Sequence, residues 1–325
     1  KKRGVGEVGH ALVCFDRPGM GNCYYALKAM RWWVMLAVLV VSSAFPGGSV
    51  ALDGENALKR ISFGSCNHQE KDQTIWKAIR ETRPDVWLWL GDNIYADKKL
   101  RNFPKTFIAS PIDEMKEMYL KQKNEFNYAA LRQEVPHLVG TWDDHDFGLD
   151  DAGKEFPLKD ESQQIFLDFL DIPKDAKVRS QKGVYRSHVF GPKGQRVKLI
   201  VLDTRYHRDP IHSGGDILGD EQWRWLEQEL VQSDADVNLI ASSIQFMANH
   251  QATLCPVSEI KSGPCTVESW AHFPKARKRL LSIVDDNSVD GVVILSGDVH
   301  MGEILRSPAQ CMLPYRLVEL TSSGM

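Results

Sequence analysis

The sequence predicts an α/β fold, and three observations carry that expectation. Apolar, β-rich runs recur along the chain, helical patterns fill much of the space between them, and reactive side chains gather where several of the runs end. The runs expected as strands are Arg60–Ser65, Asp85–Leu90, Leu138–Trp142, Val184–Phe190, Val197–Leu202, Val237–Ile244, Gly291–Leu295 and Arg316–Thr321. Between them, helices are expected over Asp72–Thr82, Asp113–Leu131, Asp160–Leu170, Asp220–Gln232 and Pro274–Asp285. Gly219-Asp220 reads as an N-cap for the fourth of these, and Pro274 suits a first helical turn, where its missing N–H costs nothing.

A chain of 325 residues with 43% hydrophobic and 26% charged residues has the makeup of a globular protein with one large core. Its formal net charge of -3 gives no electrostatic argument for a nucleic-acid partner. No internal repeat, low-complexity tract or interdomain linker interrupts the pattern.

The N-terminal part reads differently. Residues 1–29 show no sustained period of helix or strand and are expected to be a non-native or unstructured extension. Met30-Arg31, the apolar run Trp32–Val41 and the small residues Ser49 and Ala51 have the layout of a signal peptide over residues 30–51, with cleavage before Leu52. The apolar run is too short to span a bilayer. Residues 52–325 are then the folded domain, secreted to an extracellular or periplasmic space, and the stop at Ser322-Ser323-Gly324-Met325 is expected to be a C-terminal truncation. Export permits disulfides; Cys255 and Cys265 bracket one loop and form the natural pair, while Cys66 and Cys311 have no obvious partner.

Ligands of open α/β sheets bind beyond the carboxyl ends of the strands, and here several strands end in chemistry. Gly64-Ser65-Cys66-Asn67-His68 follows the first, Gly91-Asp92-Asn93-Ile94-Tyr95 the second, Trp142-Asp143-Asp144-His145-Asp146 the third, Asp203-Thr204-Arg205 the fifth and Ser296-Gly297-Asp298-Val299-His300 the seventh. Asp92 and Tyr95 share a strand-to-loop turn that can converge on one ion. A phenol titrates near pH 10, so a phenolate ligand at neutral pH calls for a strong Lewis acid such as ferric iron, to which Cys66 adds a thiolate. Taken singly, Tyr95 reads as an aromatic packed beside a loop, and Cys66 as a small buried hydrophobe or half of a disulfide with Cys311.

Asp143 and Asp144 repel unless a cation or solvent separates them, and the apolar run before them argues for partial burial rather than a solvated loop. Asp146, Asp150 and Asp151 extend the negative density, which fits a second, larger ion with oxygen ligands such as Ca²⁺. Asp298 and His300 can be aimed at one site by a turn, although a lone histidine is more often a structural hydrogen bonder. Two close ions suit phosphoester cleavage, because one acidifies a water and together they neutralise phosphoryl charge. His145 has the pKa class to protonate a leaving group, and Arg205 offers a planar fork for phosphate oxygens or, more plainly, a surface salt bridge. With Asp143, these are the candidate catalytic residues.

In their order, the motifs Gly-Ser-Cys, Gly-Asp-x-x-Tyr, Trp-Asp-Asp-His-Asp, Leu-Asp-Thr-Arg-Tyr and Ser-Gly-Asp-Val-His resemble those of the alkaline phosphatase D (PhoD-like) metallophosphatases from about Ile61 onward. The resemblance implies a four-layer αββα sandwich of mixed β-sheets flanked by helices, and a site of Fe³⁺ with Ca²⁺, other divalent ions being alternatives. By motif, Cys66, Asp92, Tyr95 and His300 serve the iron, with Asp92 bridging to calcium and Asp298 and Asp144 or Asp150 completing the calcium side. It also implies a metal role for Asp144 and an acid role for His145. Asp150 stands where relatives often carry Asn, and there is no room between Leu52 and Arg60 for the additional N-terminal β-domain of many bacterial members.

The leading expectation is a secreted metal-dependent phosphomonoesterase acting on a small phosphoester. Phosphodiester or phospholipase D-like cleavage by the same chemistry is the second reading, and it alone brings in a membrane surface. A non-catalytic, secreted metal-binding protein is the third; His145 and Arg205 argue against it, since holding ions requires neither.

Overall fold

The computed structural model describes residues 56–102, 105–211, 213–248 and 268–325, together with the backbone of two short strands, β1 (Tyr25–Ala26) and β2 (Ala37–Val40). Most of the expected extension 1–29 and of the expected signal peptide 30–51, and the Cys255–Cys265 pair, lie outside the described residues.

From there the chain runs β3 (Arg60–Gly64), α1 (Ile75–Glu81), β4 (Val86–Leu90), the hairpin β5 (Lys98–Asn102) and β6 (Lys105–Ile108), α2 (Ile112–Lys123), α3 (Phe126–Glu134), β7 (His137–Thr141) and the single turn α4 (Asp144–Phe147). It continues through α5 (Lys159–Phe169), β8 (Arg186–Phe190), β9 (Val197–Val201), α6 (Gly219–Val231), β10 (Val237–Ala241), α7 (Pro274–Asp286), β11 (Val292–Ser296), β12 (Gly302–Arg306) and β13 (Val318–Ser322). All the expected strands are present. The short strands β1 and β2, the hairpin, β12 and α4 were not anticipated.

Two sheets face each other. One is seven-stranded in the order β1-β12-β13-β11-β10-β9-β8, the other four-stranded in the order β2-β3-β4-β7. In the first, β9, β10, β11 and β13 are parallel and β8 and β12 antiparallel. In the second, β3, β4 and β7 are parallel. Side chains alternate along each strand, so a strand buried on both faces feeds two cores at once. Val86, Leu88 and Leu90 of β4 meet Val197, Leu199 and Val201 of β9 in the core between the sheets, while Trp87 and Trp89 turn outward. There they pack beneath the first group of helices, with Trp76 of α1, Tyr128 of α3 and Phe169 of α5. On the far side, Ile200 and Ile240 meet Trp223, Leu226 and Leu230 of α6 and Leu280 and Val284 of α7. Three apolar layers therefore separate four layers of secondary structure, helix, sheet, sheet, helix, which is the expected αββα sandwich.

Some local expectations are corrected. The helix expected over Asp113–Leu131 is broken in two, because Glu125 adopts ψ 133° and its carboxylate accepts from Tyr128 N, capping a new helix. The Gly219-Asp220 cap is also displaced: α6 already starts at Gly219, Leu218 holds the cap position, and Asp216 Oδ2 accepts from Gly219 N at 2.8 Å. Pro274 does sit in the first turn of α7. Cys66 and Cys311 are both free thiols, so the alternative of a bond between them falls. No helix among the described residues is long and apolar enough to cross a membrane.

Candidate active site

Because the strands of both sheets that carry the motifs run parallel within their sheets, the loops after β3, β4, β7, β9, β10 and β11 converge at one end of the sandwich. The convergence demands unusual backbone. Cys66, Asp92, Asp298 and His300 adopt φ of 59°, 49°, 70° and 51°, the left-handed region that costs non-glycine residues energy and is retained where the surroundings enforce it. Gly91 has φ 98°, and a Cβ there would meet Asp143 Cβ at 2.5 Å, so only glycine lets the loop after β4 lie against the loop after β7.

A buried carboxylate ties these loops together. Asp146 accepts from Asp92 N at 3.2 Å, Asn93 N at 3.1 Å, Asn93 Nδ2 at 2.5 Å and Asp143 N at 2.6 Å. The residue thus spends its oxygens on backbone and amide donors, as a clamp.

Ligand atoms of Cys66, Asp92 and His300 lie within 4.8 Å of one another, as do those of Asp92, Asp144 and His145, and those of Asp92, Asp143 and Asp298. Asp92 belongs to all three groups. Tyr95 Oη stands 2.9 Å from His300 Nε2, and the Tyr95 ring packs on those of His68 at 4.9 Å and His145 at 4.3 Å. Cys66 Sγ is 3.3 Å from Asp92 Oδ2 and 3.1 Å from Ser323 Oγ. Asp150 joins a different group, with Asp97 and His145, its Oδ1 3.9 Å from His145 Nε2.

Burial makes this assembly electrostatically costly. It pushes the Cys66 thiol up to about 12, with Asp298 adding to the effect. Burial likewise raises Asp92, reinforced by Cys66 and Asp144, and Asp298, reinforced by Asp143 and Asp144. The Tyr95 phenol is driven upward by burial, Cys66 and Asp92. Asp143 is raised by burial against the pull of Arg205, and its Oδ2 is buried without a hydrogen-bond partner. Groups that cannot ionise together in a dry site can do so around a cation, and an orphaned carboxylate oxygen is the donor such an ion takes. The donor set fits a metal centre: a thiol, a phenol, an imidazole and carboxylates.

His145, which borders Asp92 and Asp144, also has a carboxylate of its own. Its Nδ1 is 2.7 Å from Oδ1 of Asp97, whose side chain is fully buried and whose Oδ2 accepts from Asp150 N at 2.8 Å. Burial disfavours the imidazolium, but Asp144, Asp97 and Asp150 outweigh it and push His145 up to about 9. With Nδ1 held, Nε2 is the ring nitrogen left outside that contact, 3.9 Å from Asp150 Oδ1.

Arg205, expected to face phosphate, is fully buried. Its Nε donates to Asp143 Oδ1 at 2.5 Å and its Nη2 pairs with Glu268 at 2.6 Å, while Glu268 also pairs with Arg208 at 3.0 Å. Ser243 Oγ donates to the same Asp143 oxygen at 2.6 Å. Asp97, Ser243 and Glu268 are the site-forming residues that sequence reasoning missed. Asp97 alone left a signal, as a carboxylate closely following Asp92 and Tyr95 in one loop.

Residues 61–323 match the family of PhoD-like phosphatases. The chain belongs to that family. Among individual proteins, this PhoD-like chain is similar to alkaline phosphatase D of Bacillus subtilis (strain 168), 25% identical over 280 residues that cover 74% of this chain and 45% of the relative. The chain thus spans less than half the length of that curated relative. The solved structure of PhoD aligns at a TM-score of 0.65 and 20% identity, over 84% of this chain and 58% of that one, a likeness of fold.

Proposed function

We propose that this PhoD-like chain is a metal-dependent phosphoester hydrolase acting on small phosphomonoesters. The observation that carries the reading is the convergence of Cys66, Asp92, Tyr95, Asp143, Asp144, Asp298 and His300 around Asp92, buried on the Cys66, Asp92 and Asp143 side and open at His300, beside an imidazole with its own carboxylate. Ion storage has no use for that last element.

Cys66, Asp92, Tyr95 and His300 are the residues that would hold a ferric ion, and Asp92, Asp298 and Asp144 those that would hold calcium. The thiol and phenol favour a strong Lewis acid, the all-carboxylate side a hard cation. Bound there, such ions acidify water and neutralise phosphoryl charge. The chain's own groups do the rest. Asp97 fixes the imidazole so that Nδ1 keeps its proton and Nε2 presents one toward the leaving oxygen. Arg205 and Ser243 hold Asp143 at the edge of the focus, and Asp146 holds the loops bearing Asp92 and Asp143 together. Export through the segment 30–51 accompanies this reading, on its charge, apolar core and small-residue layout. N-terminal sequencing of secreted material tests it.

Metal analysis of the purified chain, with turnover of a monoester and a diester model substrate, tests the function. Bound iron with monoesterase activity supports it; Asp92→Asn then loses metal and turnover together. Full metal content and full turnover in that variant remove Asp92 from the centre.

A further inference from the structure

The hairpin that follows Asp97 borders the site, and its role here rests on the hydrolase reading. β5 and β6 form a two-stranded sheet outside the two main sheets, and β5 carries Lys98, Lys99 and Arg101. Directly opposed residues of a strand pair share a face. Lys99 opposes Phe107, whereas Lys98 opposes Ile108, and the register shift after Lys99 places Arg101 opposite Thr106. Lys99 therefore shares a face with Phe107, and Lys98 and Arg101 lie on the other.

The Phe107 face is the one turned to the site, since the Phe107 ring lies 5.4 Å from the His145 ring. On the opposite face Lys98 is ion-paired with Glu114 of α2. Lys99 is exposed, and no carboxylate among the described residues engages it. A lysine ammonium on its flexible stem is a mobile point charge suited to an anion that varies in position.

Whatever borders His145 borders the leaving group, because His145 is the group placed to protonate the leaving oxygen. With the Arg205 guanidinium engaged by Asp143 and Glu268, the cation that serves the open side is a different one. We propose that Lys99, with Phe107 as its apolar wall, forms a leaving-group subsite that selects phosphoesters whose alcohol carries a second anionic group.

A matched pair of substrates tests this on the metal-loaded full chain: p-nitrophenyl phosphate and p-carboxyphenyl phosphate, which differ in one charged substituent. The quantity read is the ratio of kcat/KM for the carboxylated ester to that for the nitro ester. Lys99→Ala lowers this ratio about fivefold, the size of an exposed ion pair. Lys99→Arg restores most of it, and added salt lowers the wild-type ratio toward that of Lys99→Ala. Lys98→Ala, on the other face of the same strand, leaves the ratio at the wild-type value. An unchanged ratio in Lys99→Ala, or an equal fall in Lys98→Ala, overturns the subsite while the hydrolase reading stands. A wild-type chain that carries its metals and turns over neither ester removes the hydrolase reading and the subsite together.

Discussion

Asp97 Oδ1 lies 2.7 Å from His145 Nδ1, and the Asp97 side chain is fully enclosed. An oriented carboxylate behind an imidazole fixes the tautomer and the ring direction, so its removal harms the reaction without touching the metal ligands. Asp97→Asn is expected to lower kcat about 10- to 100-fold with metal content unchanged. The loss should be larger for an alkyl phosphate, which needs a proton at its leaving oxygen, than for p-nitrophenyl phosphate, which leaves as an anion. Equal losses on the two substrates would indicate that Asp97 acts on folding rather than on His145.

The Tyr95 hydroxyl separates a ferric centre from one of magnesium, manganese or zinc. Phenolate bound to ferric iron absorbs visible light, so the loaded protein is expected to be coloured. Tyr95→Phe keeps the ring contacts with His68 and His145 and deletes the oxygen 2.9 Å from His300. The expected result is a shifted or lost band with the fold intact by circular dichroism. An unchanged band in the variant would exclude Tyr95 as a ligand.

Much of this arrangement was legible in the sequence, and the reason is local. Period-two and period-3.6 patterns report which elements face a core, and the strand-ending motifs report where the carboxyl ends point, so Asp92 could be paired with Tyr95 and Asp298 with His300 without coordinates, while the family resemblance joined both pairs to Cys66. What escaped was whatever depends on two distant segments meeting. Glu268 pairs with Arg205 across loops after different strands, and nothing in either neighbourhood announces the other. The break at Glu125 escaped for a related reason: glutamate is an ordinary helix residue, and only its backbone ψ reveals a cap. The positive φ values at Cys66, Asp92, Asp298 and His300 were not legible either: Asp and His enter the left-handed region more often than most non-glycine residues, but the great majority of them do not, so residue type alone does not mark these positions, and at Cys66 it gives no signal.

Glu268 offers a stability test. Its carboxylate pairs with two buried guanidinium groups, Arg205 at 2.6 Å and Arg208 at 3.0 Å. Removing one partner from a buried pair leaves charge uncompensated and typically costs 3–5 kcal/mol. Glu268→Ala is therefore expected to lower the unfolding free energy by about 3 kcal/mol or more, read as a fall in the urea midpoint, and Glu268→Gln by less because one oxygen acceptor survives. A midpoint within error of wild type for the alanine variant would mean that water or another carboxylate replaces Glu268.

Glu319 gives stability a pH dependence whose sign can be worked out. The residue is fully buried in β13 and accepts from Phe246 N at 2.7 Å and Met247 N at 2.6 Å. Burial raises it to about 7, against the lowering effect of those amides and of Ser296. An unfolded glutamate titrates near 4.3, so the native state binds the proton more tightly than the unfolded chain does. The resulting stabilisation is complete below the unfolded value, falls as pH rises, and is gone above about 7. Glu319→Gln cannot ionise, and it also gives up one acceptor by turning an amide NH₂ toward a backbone N–H, a loss that does not vary with pH. The expected outcome is a pair of curves: the wild type loses stability between pH 5 and pH 8, and the variant starts lower at pH 5 but declines less over the same interval. The difference between the slopes, measured by urea unfolding at each pH, isolates Glu319 from every other titrating group. Parallel curves would place the Glu319 carboxylate at its ordinary pKa and assign the pH dependence elsewhere.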